Sequence, residues 1–367
     1  VRGNKLKILV DGRTLTPNMT GVGKFAYKTI KKIARMRSDI EFFIVSNNKI
    51  KKIDSNNVGH IVTGNYNTNM KAFNKLYSPI WINTYFRKKI KEINPDIVFY
   101  PNFVMPLTLN QNYKSVAVIH DVIHKSFPKS HSWIYRKYLD FVINNTLKKA
   151  DVITTPSNHS KNELMKYYND INQEKIKVTY HGIDKDNYNR INLDFNFPYI
   201  LLVGTHSPRK NLNVVHQAWK NLKQDFPKIK LVIVGKGKFF SELAADNDVI
   251  LTGYVSEDKL NALYDQAKVF CFPSLYEGFG MPILEAMSHG TPVISANNSS
   301  LPEVLGESGL LIKKNNKVEW ENAIRKVISD KKLAKNLEQK GKKRAQEFSW
   351  ENSAKEYIKI FENLLID

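Results

Sequence analysis

From one end to the other, the chain alternates short, uniformly apolar runs with longer segments whose apolar positions recur every three to four residues. Apolar runs of four to six residues mark strands buried on both faces, and the 3.6-residue period marks the helices that cover them. The pattern predicts an α/β protein of doubly wound parallel sheets. In the first half, strands are expected at 6–11, 41–46, 96–101, 115–121, 151–156 and 175–181, with helices near 22–36, 73–93, 131–149 and 157–168. The second half repeats the rhythm, with strands at 199–204, 230–235, 249–252, 269–273, 292–295 and 309–312. Between the two series, 184–198 is polar, rich in Asn and Asp and without period, which reads as a linker. A last helix from Trp350 would bury Ala354, Tyr357, Ile358, Phe361 and Leu365 on one face. The expected organisation is therefore 1–184, 185–349 and a terminal helix 350–367.

Composition narrows the class. A length of 367 residues exceeds what one core usually supports, so two domains follow. No run approaches the apolar length of a membrane span and no signal-peptide core opens the chain, so a cytoplasmic location is expected. The single cysteine, Cys271, lies in the apolar run Val269-Phe270-Cys271-Phe272 and is expected to be a buried thiol with no chemical role. The net charge of +21 is uneven: residues 1–190 hold 32 Lys and Arg against 14 Asp and Glu, and 191–367 hold 24 against 21. Two basic stretches of the first half, 73–93 and 131–149, interleave cations with Trp81, Tyr85, Trp133, Tyr135 and Tyr138, the composition of interfacial helices. One reading places this face against an anionic membrane surface; the other is a lysine-rich proteome with its aromatics packed inward. No zinc-finger spacing, recognition helix or RNP-like strand supports a nucleic-acid partner.

The densest candidate chemistry runs from Ser274 to Gly290. Pro282 suits a first helical position and Gly290 a left-handed C-terminal cap, so a helix over about 282–289 is predicted, its N-terminus facing the glycine loop Gly278-Phe279-Gly280-Met281. Such a terminus suits an anion or sugar hydroxyls. Glu277 and Glu285 are carboxylates that could each accept hydrogen bonds from a pair of hydroxyls. A second strand–turn–helix unit, Val203-Gly204-Thr205 through Arg209-Lys210, puts two cations where a diphosphate could sit. In the first half, Asp11-Gly12-Arg13 ends a strand, Gly21-Val22-Gly23 opens a helix, and His120-Asp121 closes the strand at 115–121. The Gly-x-Gly lacks the further residues of a dinucleotide fingerprint or a P-loop.

Glu277 to Glu285, in the form EGFGxPxxEAMxxGxPVI, resembles the E-x7-E motif of retaining GT-B glycosyltransferases of family 4, and the remaining motifs follow in the order that family shows. The resemblance implies a GT-B fold, two Rossmann-like domains facing a cleft, with the donor held mainly by the second and the acceptor by the first. It implies that Glu277 contacts the transferred sugar, that Phe279, Gly280, Met281 and Pro282 hold sugar and phosphate, and that Glu285 contacts the donor ribose. Gly204, Arg209 and Lys210 fall on the phosphate clamp, Gly21 and Gly23 on the loop facing the diphosphate, and His120 on a histidine beside the sugar. The expected catalytic residues are thus His120, Glu277, Arg209 and Lys210. Many members carry an Arg directly after the strand glycine; this chain has Thr205, and Arg209 is expected to supply that charge. His181-Gly182-Ile183-Asp184 resembles the family's hinge, with His181 in place of the usual Asn, and Tyr254 lies where members approach the nucleobase.

The implied reaction is hexosyl transfer with retention from a nucleotide-diphosphate sugar to a glycan or lipid-linked glycan, with no cofactor and no metal. The nearest resemblance is to bacterial polysaccharide and O-antigen mannosyl- and rhamnosyltransferases, which suggests GDP-mannose first. The alternatives are a GT-B sugar-nucleotide epimerase and a catalytically inactive binding protein.

Overall fold

The structure, a computed structural model, describes residues 5–63, 79–108, 112–169, 171–184, 191–205, 207–237, 246–313 and 315–366. They form two compact units, one of 1–182 with 350–367 and the other of 183–349. The residues 73–78 of an expected helix and 185–190 of the expected linker lie outside the described set.

The first unit is built on a seven-stranded sheet: β1 (Leu6–Asp11), β2 (Ile40–Ser46), β3 (Val58–Val62), β4 (Ile97–Tyr100), β5 (Lys114–Val118), β6 (Val152–Thr155) and β7 (Ile176–Val178), in the order β3-β2-β1-β4-β5-β6-β7. All pairs are parallel. β4 is buried at every position, as a strand covered on both faces must be. The edge strand β3 is a seventh where the pattern predicts six; Gly59 and the half-exposed His60 and Ile61 break its apolar run. The expected strand over 115–121 stops at Val118, so His120 lies in the loop beyond it. The helix ending at Ile93 passes through a π-helical turn at Ile82–Phe86.

The terminal helix Trp350–Ile366 belongs to this first unit. It buries Trp350, Ala354, Tyr357, Ile358, Phe361 and Leu364; Leu364 takes the place expected of Leu365, which is half exposed. Both leucines continue the helical period, and the turn of the backbone selects the first. Phe99 meets Tyr357 and Phe361 edge-on at 5.4 and 5.8 Å, and the Tyr357 hydroxyl bonds that of Thr154 at 2.8 Å. Ion pairs of Arg37 with Glu362 and Lys32 with Glu351 fasten the outer edge.

The second unit has a six-stranded parallel sheet: β8 (Tyr199–Val203), β9 (Lys230–Val234), β10 (Val249–Gly253), β11 (Val269–Phe272), β12 (Val293–Ala296) and β13 (Leu310–Ile312), ordered β10-β9-β8-β11-β12-β13. Trp219 and Trp320, from the helices Leu212–Leu222 and Lys317–Ser329, are fully buried in its core. Cys271 is buried on β11, where the apolar surroundings push its thiol up. In both sheets the order reverses at one point, between β1 and β4 and between β8 and β11. Open parallel sheets place their sites just beyond the carboxyl ends of the strands at that point.

Candidate active site

In the second unit the crevice lies beyond β8 and β11. Gly204 follows β8 with a φ of +148°, and a Cβ there would come within 3.2 Å of Lys210 Cε. The turn after β9 is nested against it: a Cβ on Gly235, whose φ is +131°, would stand 2.0 Å from the Gly204 carbonyl oxygen. Glycine is needed at both positions, first for the backbone and then for the space that seats Lys210. A short 3-10 turn, Pro208–Lys210, and the left-handed Asn211 then lead into the helix Leu212–Leu222.

Beyond β11 the chain turns through Ser274–Glu277 and is tied to that first turn by Leu275 N–H donating to the Arg209 carbonyl at 2.7 Å. Glu277 Oε1 receives Lys210 Nζ at 2.6 Å, Arg209 Nη1 at 2.8 Å and the Ser274 hydroxyl at 2.5 Å. Arg209 Nη1 also donates to the Tyr276 carbonyl at 2.5 Å, and the Lys210 ammonium lies 4.8 Å over the Phe272 ring. Burial would raise the Glu277 carboxyl, but the Lys210 and Arg209 charges and two hydrogen bonds hold it below its ordinary value. Burial lowers the Lys210 ammonium against the pull of Glu277, with Arg209 pushing the same way. At neutral pH the cluster is two cations on one carboxylate.

The loop after β12 clamps this turn. Ser299 Oγ accepts the Glu277 N–H at 3.1 Å, Ser300 Oγ donates to the Glu277 and Phe279 carbonyls at 3.0 and 2.7 Å, and Asn298 donates to the Leu275 carbonyl. The helix that follows is Met281–His289, capped by Gly280 at φ +113° and closed by Gly290 at φ +80°. Met281 is therefore the first helical residue and Pro282 the second, one place later than expected. Phe279 turns its ring into the core against Phe348, so only its backbone is offered to the loop. Glu285, one turn into the helix, accepts a hydrogen bond from the buried Tyr264 hydroxyl at 2.9 Å. Tyr264 in turn is stacked on His289.

In the first unit, Asp11 at the end of β1 is held by Arg13 through Nε at 2.8 Å and Nη2 at 2.6 Å, with Arg13 lying 5.3 Å over Trp81. Of the two loop glycines, Gly21 has open space where a side chain would be, whereas a Cβ on Gly23 would stand 2.1 Å from the Thr14 carbonyl. Gly23 thus packs the helix Gly21–Met36 against its own loop. His120 Nε2 is 2.9 Å from the Pro101 carbonyl, an acceptor only, so that nitrogen carries the proton and Nδ1 is the acceptor. Phe25 meets the His120 ring edge-on at 5.2 Å, and His181 lies 5.5 Å away, itself stacked on Trp350. Burial lowers both imidazoles from their ordinary value, more so at His181, where His120 adds to the effect.

Residues 19–187 match the family described as Glycosyltransferase Family 4, and residues 184–344 match glycosyl transferases group 1. The chain belongs to the family 4 GT-B glycosyltransferases. It is 26% identical to O-antigen chain mannosyltransferase B of Escherichia coli, over 98% of this chain and all of that one. It is 27% identical to O-antigen chain mannosyltransferase RfbU of Salmonella typhimurium, over 87% and 90% of the two chains. Its fold matches that of the sucrose-phosphate synthase of Thermosynechococcus elongatus with a TM-score of 0.81, at 18% identity, over 98% of this chain and 99% of that one.

Within this glycosyltransferase the structure gathers Gly204, Arg209, Lys210 and Glu277 into one cluster, sets Gly280, Met281 and Pro282 beside it, and holds Glu285 on the same helix. His120, Gly21 and Gly23 lie in the other unit. Tyr254 is 69% exposed, with Lys236 at 5.5 Å over its ring, so it is no packed core aromatic. Sequence reasoning gave Ser274 no role and missed Ser299, Ser300, Tyr264 and Gly235. For the serines a signal existed: Asn297-Asn298-Ser299-Ser300 is a small polar run directly after a central strand, at the sheet edge where sites are built.

Proposed function

We propose that this glycosyltransferase moves a mannose-type hexose from a nucleotide-diphosphate sugar, GDP-mannose first, onto a glycan or lipid-linked glycan in surface polysaccharide biosynthesis, with retention and without a metal. The observation that carries the reading is the Glu277 carboxylate held between Arg209 and Lys210 at the crevice, beside the N-terminus of Met281–His289. A departing nucleotide accumulates charge on its β-phosphate, and two fixed cations stabilise that charge more in the transition state than in the ground state. The bond from the sugar's anomeric carbon to the phosphate oxygen breaks, the acceptor oxygen bonds that carbon from the same face, and the acceptor proton passes to the leaving phosphate. Glu277, ionised, accepts hydrogen bonds from sugar hydroxyls and orients the ring. Glu285 receives the ribose, and the neutral His120 is assigned to the sugar. The O-antigen mannosyltransferase relatives support the choice of sugar and of pathway class.

The test is a melting panel of GDP, UDP and dTDP sugars, each with and without EDTA, on the wild type and on Lys210→Ala, since a ligand of the folded state raises its melting temperature. A rise with GDP-mannose, unchanged by EDTA and lost in the variant, is expected. A rise confined to UDP or dTDP sugars replaces the donor, and no rise with any of them at millimolar concentration removes the transferase reading.

A further inference from the structure

Among the described residues three besides glycine hold a left-handed backbone: Asn94, Asn211 and Ser299. Asn94 closes the helix that ends at Ile93, an ordinary place for such a residue. The other two stand on the loops that flank Glu277. Asn211, with a φ of +52°, follows Lys210, and Ser299, with a φ of +51°, lies in the loop after β12. Asparagine enters this region because its short amide bonds locally, but serine is seldom found there, since its Cβ crowds the following carbonyl. A strained residue of this kind persists only where its surroundings fix it.

The neighbours of Ser299 do so. Asn297 N–H donates to the Ile312 carbonyl at 2.8 Å, and the Asn298 side chain donates to the Leu275 carbonyl. Ser300 is fully buried, with its Oγ 3.0 and 2.7 Å from the Glu277 and Phe279 carbonyls. Leu301 opens the short helix Leu301–Leu305 and is packed so that a Cβ on Gly280 would stand 3.0 Å from its Cδ2. Residues 297–301 thus follow the loop from Leu275 to Gly280 along its length. In the middle of this run, Ser299 Oγ accepts the Glu277 N–H at 3.1 Å. That N–H is the main-chain half of a residue whose carboxylate is held by Lys210, Arg209 and Ser274.

A glycine at 299 would take the same φ without strain, so the backbone alone does not call for serine. What serine adds is one hydroxyl, and the bond it makes is to Glu277. We propose that Ser299 is a positioning residue for the transfer reaction: its strained backbone aims the hydroxyl at the Glu277 N–H and fixes the main chain from which the Glu277 carboxylate meets the donor sugar. The inference rests on the reading of Glu277 as the carboxylate that orients the sugar. It adds that this orientation is kept by a residue whose conformation lowers the stability of the fold.

The experiment compares Ser299→Gly with Ser299→Ala in the full chain. Both remove the hydroxyl, but only Ser299→Ala keeps the strain. Melting temperature is measured first. Then kcat and KM for GDP release from GDP-mannose are measured below the melting range, with the UDP or dTDP sugar in its place if the melting panel selects that donor. Ser299→Ala is expected to melt below Ser299→Gly, whereas kcat falls about tenfold in both and the donor KM stays within about twofold of the wild type. Acting through Glu277, Ser299→Gly should add less than about twofold to the loss already present in Glu277→Gln. Wild-type kcat in Ser299→Gly, beside a slow Ser299→Ala that melts low, overturns the inference, because the serine then serves the fold alone. Equal fold-losses from Ser299→Gly in the wild type and in Glu277→Gln overturn it as well. If Glu277→Gln itself turns over like the wild type, the reading of Glu277 fails and takes the inference with it. If Glu277→Gln is slow and both serine variants are fast, the inference fails alone.

Discussion

The cations of this protein fall into two populations that differ in number, burial and partners. Those of the first 190 residues exceed the acids by 18 and include unpaired lysines on an outer helix face. Those of the second unit are nearly balanced overall, yet two of them, Arg209 and Lys210, converge on one carboxylate oxygen with side chains only 20% and 9% exposed. Charge on the exposed face acts at a distance, is screened by salt and is interchangeable among neighbours. Charge in the cluster acts through geometry, because desolvation strengthens each contact and makes each partner hard to replace. Net charge therefore locates the exposed cations and says nothing of the buried cluster.

The comparison breaks most sharply at Lys210. Lys210→Ala leaves Glu277 with Arg209 and Ser274, so the fold should survive, but the contact proposed to the leaving phosphate disappears. Turnover is expected to fall by about 10²–10³-fold, the usual effect of removing one such donor. Lys137→Ala, on the exposed face, should leave turnover on a soluble acceptor unchanged. Equal losses in steady-state assays of the two variants would abolish the distinction.

Stability gives the second cut. Glu277→Gln leaves two poorly solvated cations without their counter-charge, a change that costs about 3 kcal/mol, or roughly 6–12 °C of melting temperature in a unit of this size. A nucleoside diphosphate should then restore part of the loss and raise the variant's melting temperature more than the wild type's, since the phosphates replace the missing carboxylate. Lys137→Gln should move stability by less than about 0.5 kcal/mol. A Glu277→Gln protein that melts like the wild type would mean that the ion pairs carry no net stability.

Acid separates the units next. His181, at 7% exposure among Phe25, His120 and Trp350, has its folded value pushed well below the ordinary 6.5 by burial and then by His120. Its folded form binds fewer protons than the unfolded one, so its contribution is fully present above pH 6.5 and is lost as pH falls below that toward the folded value. Each such histidine costs about 1.4 kcal/mol per pH unit in that window. His60, His120 and His124 add to the effect in the first unit, whereas among the described residues of the second only His216 is lowered. Glu277 is also depressed, but its contribution persists above its ordinary 4.5 and fails only below that. Hydrogen exchange between pH 6.5 and 5 should therefore show the first unit losing protection before the second, with the difference narrowed by His181→Asn.

Much of this was legible in the sequence where one residue type answers one geometric demand. Gly290 has the left-handed φ of a helix cap, and the spacing from Glu277 to Glu285 places one carboxylate on the loop and the other on the helix. Arg209, expected to supply the charge that Thr205 lacks, reaches the Glu277 carboxylate. What stayed hidden depends on contacts between distant segments. No periodicity ties Ser299 and Ser300 to the Glu277 loop, because β12 must first be placed beside β11. Gly23 and Gly21 look alike in sequence, but only the fold shows that the first is filled by the Thr14 carbonyl and the second is open. The solvent-facing tips at Trp133 and Phe141 carry the same apolar signature as a core face, and only their burial distinguishes them.

The smallest expected effect tests how far the buried side of the comparison extends. Tyr264 lies fully buried on the helix Glu257–Gln266 and donates its hydroxyl to Glu285 Oε2, fixing the carboxylate that is proposed to meet the ribose. Tyr264→Phe keeps the ring, its stacking on His289 and the core volume, and removes one hydrogen bond to a charged acceptor, worth roughly 1.5–3 kcal/mol at most and less once water reaches the carboxylate. If Glu285 binds the ground state and the transition state equally, the variant raises the KM for the donor several-fold and leaves kcat in place. If kcat falls with KM unchanged, Glu285 acts on the transition state and belongs with Lys210. If neither moves, the hydrogen bond serves only the packing of the helix Met281–His289, and the precise placement seen at Glu277 does not reach the second carboxylate.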